Sequence, residues 1–245
     1  MHAVAQMVSK TARKTAVWTS PVSAELSPRR KTVSGFRQVL WLGMVFWILF
    51  SSLPAAALAQ DSLPHHAYTG TRGFDIRLLD KINPDTPASC YQHQISNSAY
   101  WLPAAIVVGE LGYGFIADDP LNKRYAVETG ITVGIGQAMS IGLKHLFKRP
   151  RPYMRFPDVI HPVNYGTGPS FPSGHTTLAF STATSLALTR KQWTVTVPIT
   201  LWAGSVGYSR MYLGRHYPTD VLGGIAVGIV SGILGHWVTA RIYGD

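Results

Sequence analysis

The chain has little cysteine and little charge, and each shortage excludes or disfavours a class of protein. Cys90 is the only cysteine among 245 residues, so no disulfide can close within the chain. Charged residues make up 14% of the sequence and hydrophobic residues 46%, which is a low charge content for a soluble protein. No carboxylates cluster with the spacing of metal ligands, so the sequence predicts neither a metal nor another cofactor.

The excess of basic residues is unevenly distributed. Lys and Arg number 22 against 12 acidic residues. Residues 1–59 contain seven Lys and Arg and one acidic residue, Glu25, so six of the ten excess charges lie there. The chain has no basic stripe interleaved with aromatic residues of the kind that single-strand binders use, and we predict no nucleic-acid partner.

The first 59 residues have the features of a targeting segment in the usual order. Four basic residues between positions 29 and 37 precede an apolar run at 39–50, and Ala57 to Ala59 shows the small-residue pattern of a signal-peptidase site. We predict that residues 1–59 are a signal peptide cleaved after Ala59 or an uncleaved N-terminal anchor. Translation from Met7 is an alternative that would shorten the long basic lead.

Residues 60–98 are mostly polar and predict an extracytoplasmic segment with one short helix at 74–82. The apolar residues of this helix fall near one face and are Phe74, Ile76, Leu78, Leu79 and Ile82. We expect that face to pack against the rest of the protein rather than on a membrane surface.

Five apolar stretches follow, at residues 99–116, 126–143, 175–189, 194–208 and 221–240. Their length and composition predict helices, and several approach the roughly 20 residues that span a bilayer. We therefore predict an all-α fold, a helical bundle with five core helices over residues 99–245, in a polytopic membrane protein. Glu110 and Glu128 interrupt two of the stretches, and acids at membrane depth should face the protein interior.

Glycines recur at helical spacing in two of these stretches. They are Gly224, Gly228 and Gly232 in the last stretch, and Gly130 and Gly134 in the second. Small residues at intervals of four allow membrane helices to approach closely, whereas mid-helix glycines weaken a soluble bundle.

Three clusters of basic residues, histidine and aspartate lie between Lys144 and Asp220. They read K-x6-RP from Lys144, PSGH ending at His175, and SR-x5-H-x3-D ending at Asp220. A phosphoryl group in transit spreads negative charge over three oxygens and needs positioned cations around it. Lys144, Arg151 and Arg210 can supply that charge without a metal ion.

The second and third clusters also stand at predicted helix starts. Ser173 and Gly174 precede an uncharged run, so free backbone N–H groups there can face an anion. Pro218 favours the first turn of a helix, which places Asp220 within reach of the ring of His216. A carboxylate on one ring nitrogen leaves the other free to attack phosphorus, and His175 on a separate element can protonate the departing oxygen.

Together the clusters resemble the type 2 phosphatidic acid phosphatase superfamily, in its membrane lipid phosphatase branch, at all eleven specified identities. The resemblance implies a phosphohistidine at His216, an acid/base at His175 and orientation of His216 by Asp220. It also implies that phosphate contacts Lys144, Arg151, Ser173, Gly174 and Arg210. Neighbouring basic residues outside the motifs are expected only to deepen the positive field, namely Lys148, Arg149, Arg155 and Arg215.

If the five helices alternate across a membrane, the loops at 144–174 and 209–220 emerge on one side. The opposite helix ends carry Lys123, Arg124, Arg190, Lys191 and Arg241. The basic residues on the motif side break a simple count, but they are expected to bind substrate. By the positive-inside rule the opposite ends are then cytoplasmic, so the predicted site faces the periplasm of a bacterial inner membrane.

The resemblance implies a phosphatase that acts on a lipid phosphate or diphosphate, with the membrane and that lipid as its partners. Three alternatives remain open at this point. They are a soluble periplasmic acid phosphatase of the same superfamily, a vanadium haloperoxidase, and a non-catalytic lipid-binding membrane protein. The sequence selects neither one lipid phosphate nor an oligomeric state.

Overall fold

A computed structural model describes residues 73–87 and 89–244, and the predicted signal segment at 1–59 lies outside them. The described residues form helices and no strand. In chain order the helices are α1 (Phe74–Ile82), α2 (Cys90–Ile116), α3 (Pro120–Phe147), α4 (Pro152–Arg155), α5 (Gly174–Arg190), α6 (Trp193–Tyr212) and α7 (Pro218–Tyr243). The predicted all-α bundle is confirmed, with α2, α3, α5, α6 and α7 as its five long helices.

Helices α5, α6 and α7 begin within three residues of the predicted starts, whereas α3 begins six residues before 126 and α2 begins nine residues before 99. The side chain of Ser89 caps it by accepting from the Gln92 N–H. Polar residues in its first turns are buried because they bond to α6. Ser96 accepts from Arg210 and Ser98 accepts from the indole N–H of Trp202. The predicted loop is therefore wrong at residues 90–98, where the polar residues Ser96 and Ser98 lie on a helix and bond to polar partners.

Helix α7 packs on α5 through its glycines. A methyl group added at Gly224 would lie 2.7 Å from the Ser173 carbonyl oxygen, and one at Gly228 would lie 2.6 Å from Cβ of Phe180. The predicted close approach is thus confirmed for α7. In α3, by contrast, a methyl group at Gly130 would meet nothing within 4 Å, and Gly136 makes the close approach instead, against side chains of α5 and α7.

The bundle has small polar residues inside and large apolar residues outside. Fully buried hydroxyl residues of the long helices include Thr129, Thr132, Thr176, Thr177, Ser181, Thr182, Ser185, Ser231 and Thr239. Exposed apolar residues include Val108, Ile116, Leu201, Leu222, Ile233 and Trp237. Within the described chain, α2 and α7 are long and apolar enough to cross a membrane, judged by length and composition alone.

The two acids predicted to interrupt the apolar stretches, Glu110 and Glu128, face the interior, as predicted. Glu110 is 8% exposed and accepts from Arg190 over 2.7 Å, while Glu128 is 1% exposed and lies 2.8 Å from Nδ1 of His236. Arg190 also donates to Asn122, so the end of α2, the start of α3 and the end of α5 meet. Those helix ends are opposite the motif loops.

Helix α1 is packed against the motif end of the bundle. Ile76 and Leu79 are buried in a cluster with Tyr153, Ile160 and Tyr217. Packing of this helix on the protein is therefore confirmed. Phe74 departs from the predicted apolar face, since its side chain is 73% exposed.

Candidate active site

His216 lies between an aspartate and an arginine. Its side chain is 3% exposed, its Nδ1 is 3.5 Å from Oδ2 of Asp220, and its Nε2 is 3.4 Å from Nη1 of Arg151. A guanidinium can only donate hydrogen bonds, so the contact with Arg151 requires an unprotonated Nε2. The ring proton of the neutral form then belongs on Nδ1, facing the carboxylate.

The start of α7 holds Asp220 in this position. Pro218 is the first residue of the helix, and the Tyr217 N–H donates to Oδ2 of Asp220 over 2.9 Å. The other carboxylate oxygen, Oδ1, accepts from Arg149 over 2.7 Å. The backbone carbonyl of Asp220 accepts from the Ser173 N–H at the start of α5.

The surroundings of His216 keep its imidazole neutral. Burial, followed by the positive charges of Arg151, Arg210 and Lys144, lowers the pKa of His216 well below its usual range. A neutral ring retains a lone pair on Nε2, which is the state that a nucleophile needs.

Three cations from three elements converge on this end of the bundle, and the protein backbone or a serine positions each one. Lys144 near the end of α3 donates to the Pro169 carbonyl over 2.9 Å. Arg151 donates to the carbonyls of Gly168 and Arg215. Arg210 on α6 donates to Ser96, while its Nε is buried without a hydrogen-bond partner in the protein and is available to an anion.

The start of α5 adds backbone donors to this end. Ser173 is the N-cap residue, yet its side chain does not cap the first turn and instead accepts from the hydroxyl of Thr176. The first N–H groups of an α-helix lack partners within the helix and attract anions. A methyl group at Gly174 would meet only the Ser140 hydroxyl, at 3.7 Å.

His175 follows on the first turn of α5 and packs against α2. Its ring lies edge-to-face on Tyr100, with centroids 4.5 Å apart. His175 lies on α5 whereas His216 lies between α6 and α7, so the two rings are carried by separate elements, as the motif spacing predicts. The structure therefore collects all eight predicted residues at one end of the bundle.

Several residues at this end were missed or misjudged from sequence. Arg149, expected only to deepen the field, bonds directly to Asp220 and to Asp75 of α1. Ser96 of α2 contacts Arg210, although the sequence predicts a polar loop there. Tyr100 of α2 contacts His175, although the sequence predicts only the first turn of an apolar helix at that position. Their i, i+4 spacing would have placed them on one helix face, had the helix start been recognised.

In the described residues, no group of three or more His, Cys, Asp or Glu side chains is arranged to hold a metal ion. Positive charge is instead supplied by side chains. The bundle gathers three cations, two histidines and a carboxylate at one end, a set of side chains with the charge and the donors that a phosphate-like anion requires.

Comparison with known proteins places the chain within one family. The family model described as PAP2 superfamily matches residues 125–243. Decaprenylphosphoryl-5-phosphoribose phosphatase of Mycolicibacterium smegmatis is 34% identical over 141 residues, covering 57% of this chain and 70% of that protein. The chain belongs to the PAP2 superfamily, which confirms the resemblance carried by the three motifs.

Two further similarities extend the comparison. Lipid A 1-phosphatase of Porphyromonas gingivalis is 30% identical over 164 residues, covering 65% of this chain and 34% of that protein. The crystal structure of Aquifex aeolicus LpxE aligns with a TM-score of 0.54 at 27% identity, covering 67% of this chain and 96% of that chain. The matches span 34% to 58% of the length of several curated relatives.

Proposed function

We propose that this protein is a membrane-embedded phosphatase that hydrolyses a lipid phosphate or diphosphate through a phosphohistidine at His216. The observation that carries the proposal is the placement of this neutral, buried ring between Asp220 on Nδ1 and Arg151 on Nε2. Phosphate bound to Arg151 would lie beside the nitrogen that holds the lone pair.

In the first step, Nε2 of His216 forms a bond to phosphorus while the bond from phosphorus to the leaving oxygen breaks. His175 donates a proton to that oxygen, and the alcohol or lipid monophosphate departs. Lys144, Arg151 and Arg210, with the first N–H groups of α5, stabilise charge on the three remaining phosphoryl oxygens. Asp220 stabilises the positive charge that develops on the imidazole.

In the second step, water regenerates the enzyme. His175, now neutral, takes a proton from water as the water oxygen bonds to phosphorus. The phosphorus–nitrogen bond breaks, inorganic phosphate leaves, and the lone pair returns to Nε2 of His216. The same histidine thus acts as acid and then as base, which microscopic reversibility permits.

The relatives support a lipid substrate, because their names specify phosphatases of lipid A and of decaprenylphosphoryl-5-phosphoribose. The surface of the bundle supports a membrane location. On α7, an apolar patch would face water in a soluble protein, since Leu222, Ile233 and Trp237 are all exposed. The hydroxyl-rich interior resembles the contacts between membrane helices. A soluble acid phosphatase would not need this exterior.

We place the active site at the periplasmic face of a bacterial inner membrane. The helix ends opposite the motif loops carry five basic residues, as a cytoplasmic face should. The contacts of Arg190 with Glu110 and Asn122, and the stacking of Arg124 on Tyr243, support the grouping of those ends.

The test is phosphate release by protein purified in detergent from a panel of lipid phosphates. The panel should contain phosphatidic acid, phosphatidylglycerol phosphate, undecaprenyl diphosphate and lipid A, with acid-quench trapping of the phosphoenzyme. His161→Ala is a matched control, since His161 lies at the same end with its side chain 40% exposed. Bromide oxidation with added vanadate tests the haloperoxidase alternative, and absence of phosphate release from the whole panel would contradict the proposal.

A further inference from the structure

Helix α1 places a carboxylate against the catalytic end of the bundle, and this helix precedes the residues that match the family. Asp75 lies in its first turn. One carboxylate oxygen accepts from the Thr219 N–H over 3.0 Å, and the other accepts from the Thr219 hydroxyl and from Nη2 of Arg149, each over 2.6 Å. Two of these bonds go to Thr219, which precedes Asp220 in the chain, and the third goes to Arg149, which itself bonds to Asp220.

Arg149 connects this carboxylate to Asp220. Its Nη2 donates to Asp75, and its Nη1 donates to Oδ1 of Asp220 over 2.7 Å and to the Thr219 hydroxyl over 2.6 Å. The ring of Tyr217 lies 3.9 Å from the guanidinium carbon and restrains the plane of the fork. Arg149 thus divides its two nitrogens between two carboxylates.

This division determines which way Asp220 faces. An arginine that meets a single carboxylate favours two parallel hydrogen bonds to both of its oxygens. Because Asp75 takes Nη2, Arg149 reaches only Oδ1 of Asp220. Oδ2 then accepts from the Tyr217 N–H and faces Nδ1 of His216 at 3.5 Å, and this buried nitrogen has no other hydrogen-bond partner among the described residues.

The position of Asp75 is itself fixed by the packing of α1. Ile76 and Leu79 are buried among residues of the motif end. At the far end of the helix, the Asn83 amide donates to the carbonyls of His161 and Tyr212, and its oxygen accepts from the His161 N–H. The helix is held at both ends, so its carboxylate has a defined place.

We infer that Asp75 is a positioning residue which, through Arg149, holds Asp220 in the orientation that serves His216. The inference rests on the proposed function of His216. It assigns a part in the reaction to a helix outside the family-matched region.

The kinetic test compares Asp75→Ala with Asp85→Ala, which removes a fully exposed carboxylate from the same segment. Loss of Asp75 should lower kcat about tenfold while KM stays within about twofold, because the phosphate contacts remain. Asp85→Ala should match the wild type. Asp75→Asn keeps the side-chain size, and its kcat should also fall. This variant serves as the test if Asp75→Ala fails to fold.

A second measurement does not require turnover. In protein labelled with ¹⁵N-histidine, the His216 ring signals are identified by their loss in His216→Gln. The wild type should show a protonated Nδ1 and an unprotonated Nε2, and Asp75→Ala should shift this balance. Arg149→Met should produce the same shift, and the double variant should add nothing further, because both changes break one connection.

The outcomes separate this inference from the proposed function. If the wild type releases no phosphate but the His216 signals respond as described, the positioning link stands and the proposed function fails. Unchanged His216 signals in Asp75→Ala would overturn the inference, whether or not kcat falls, because any loss would then arise elsewhere. Additive shifts in the double variant would also overturn it, since Asp75 would act independently of Arg149.

Discussion

The Ser173 N–H donates to the carbonyl oxygen of Asp220 over 3.0 Å, which ties the start of α5 to the start of α7. The bond is possible because Gly224 has no side chain where α7 meets the Ser173 carbonyl and Thr176. As a result, the helix that carries His175 and the helix whose first turn orients His216 meet at their N-terminal ends. This contact gives the proposed acid and nucleophile their relative positions.

Replacing His216 with Ala should abolish turnover, because without the imidazole no phosphoenzyme can form. Asp220→Asn should lower kcat by roughly 100-fold or more with little change in KM, since the imidazolium loses its stabilising carboxylate. Steady-state kinetics in detergent and trapping of the phosphoenzyme measure both effects. Activity of the His216 variant within about tenfold of wild type would remove this residue from the nucleophile's role.

The decrease in rate caused by removing His175 should depend on the leaving group of the substrate. His175→Ala should slow hydrolysis of an alkyl or lipid phosphate by roughly 100-fold or more, whereas phosphoenzyme formation from an aryl phosphate should suffer far less. An aryl oxide departs without a proton, so the acid is dispensable there. Rapid-quench measurements with the two substrate types make the comparison, and equal losses would indicate another role for His175.

The acid limb of the pH profile should reflect the lowered pKa of His216. Protonation of Nε2 removes the attacking lone pair, and a lowered pKa means that the neutral ring persists as pH falls. Phosphoenzyme formation should therefore be retained below about pH 6.5, the ordinary range of histidine, and be lost only at more acidic pH. Titration of the substrate phosphate by ³¹P NMR provides the control. An enzyme limb centred in the ordinary histidine range would contradict this expectation.

Activity should survive EDTA, because Lys144, Arg151 and Arg210 would supply the positive charge at the proposed phosphate position. Vanadate should inhibit, since it can adopt a trigonal-bipyramidal form against Nε2 of His216. Phosphate release is measured after dialysis against EDTA, with and without added magnesium. Loss in EDTA and recovery with magnesium would rule out the metal-free mechanism.

The orientation of the protein can be read from two loops. A cysteine at exposed position 164, between the first two motifs, should react with an impermeant thiol reagent in cells whose outer membrane has been permeabilised. A cysteine at exposed position 192 should react only after lysis. Both are introduced after Cys90→Ser, which removes the exposed native thiol. The reverse pattern would put the site in the cytoplasm, and labelling at both positions with release by carbonate would favour a soluble periplasmic enzyme.

The sequence by itself identified the eight motif residues and predicted the helix starts at Ser173 and Pro218. It also predicted that the glycines of α7 approach another helix closely. Each of these depends on spacing within one helix or on a local turn, which residue order fixes directly. The start of α2 could not be predicted in the same way. Polar residues in its first turns are stabilised by Arg210 and Trp202, which lie more than 100 positions away along the chain.

Only the tertiary structure decided how the carboxylates and cations are connected. Asp75, Arg149 and Asp220 are separated by 74 and 71 positions, so no local pattern indicates that one guanidinium joins them. The same holds for Gly136, whose close contacts come from α5 and α7 and not from its spacing with Gly130. Long-range contacts of this kind arise when helices pack, because packing selects among the many partners that a charged or small residue could accept.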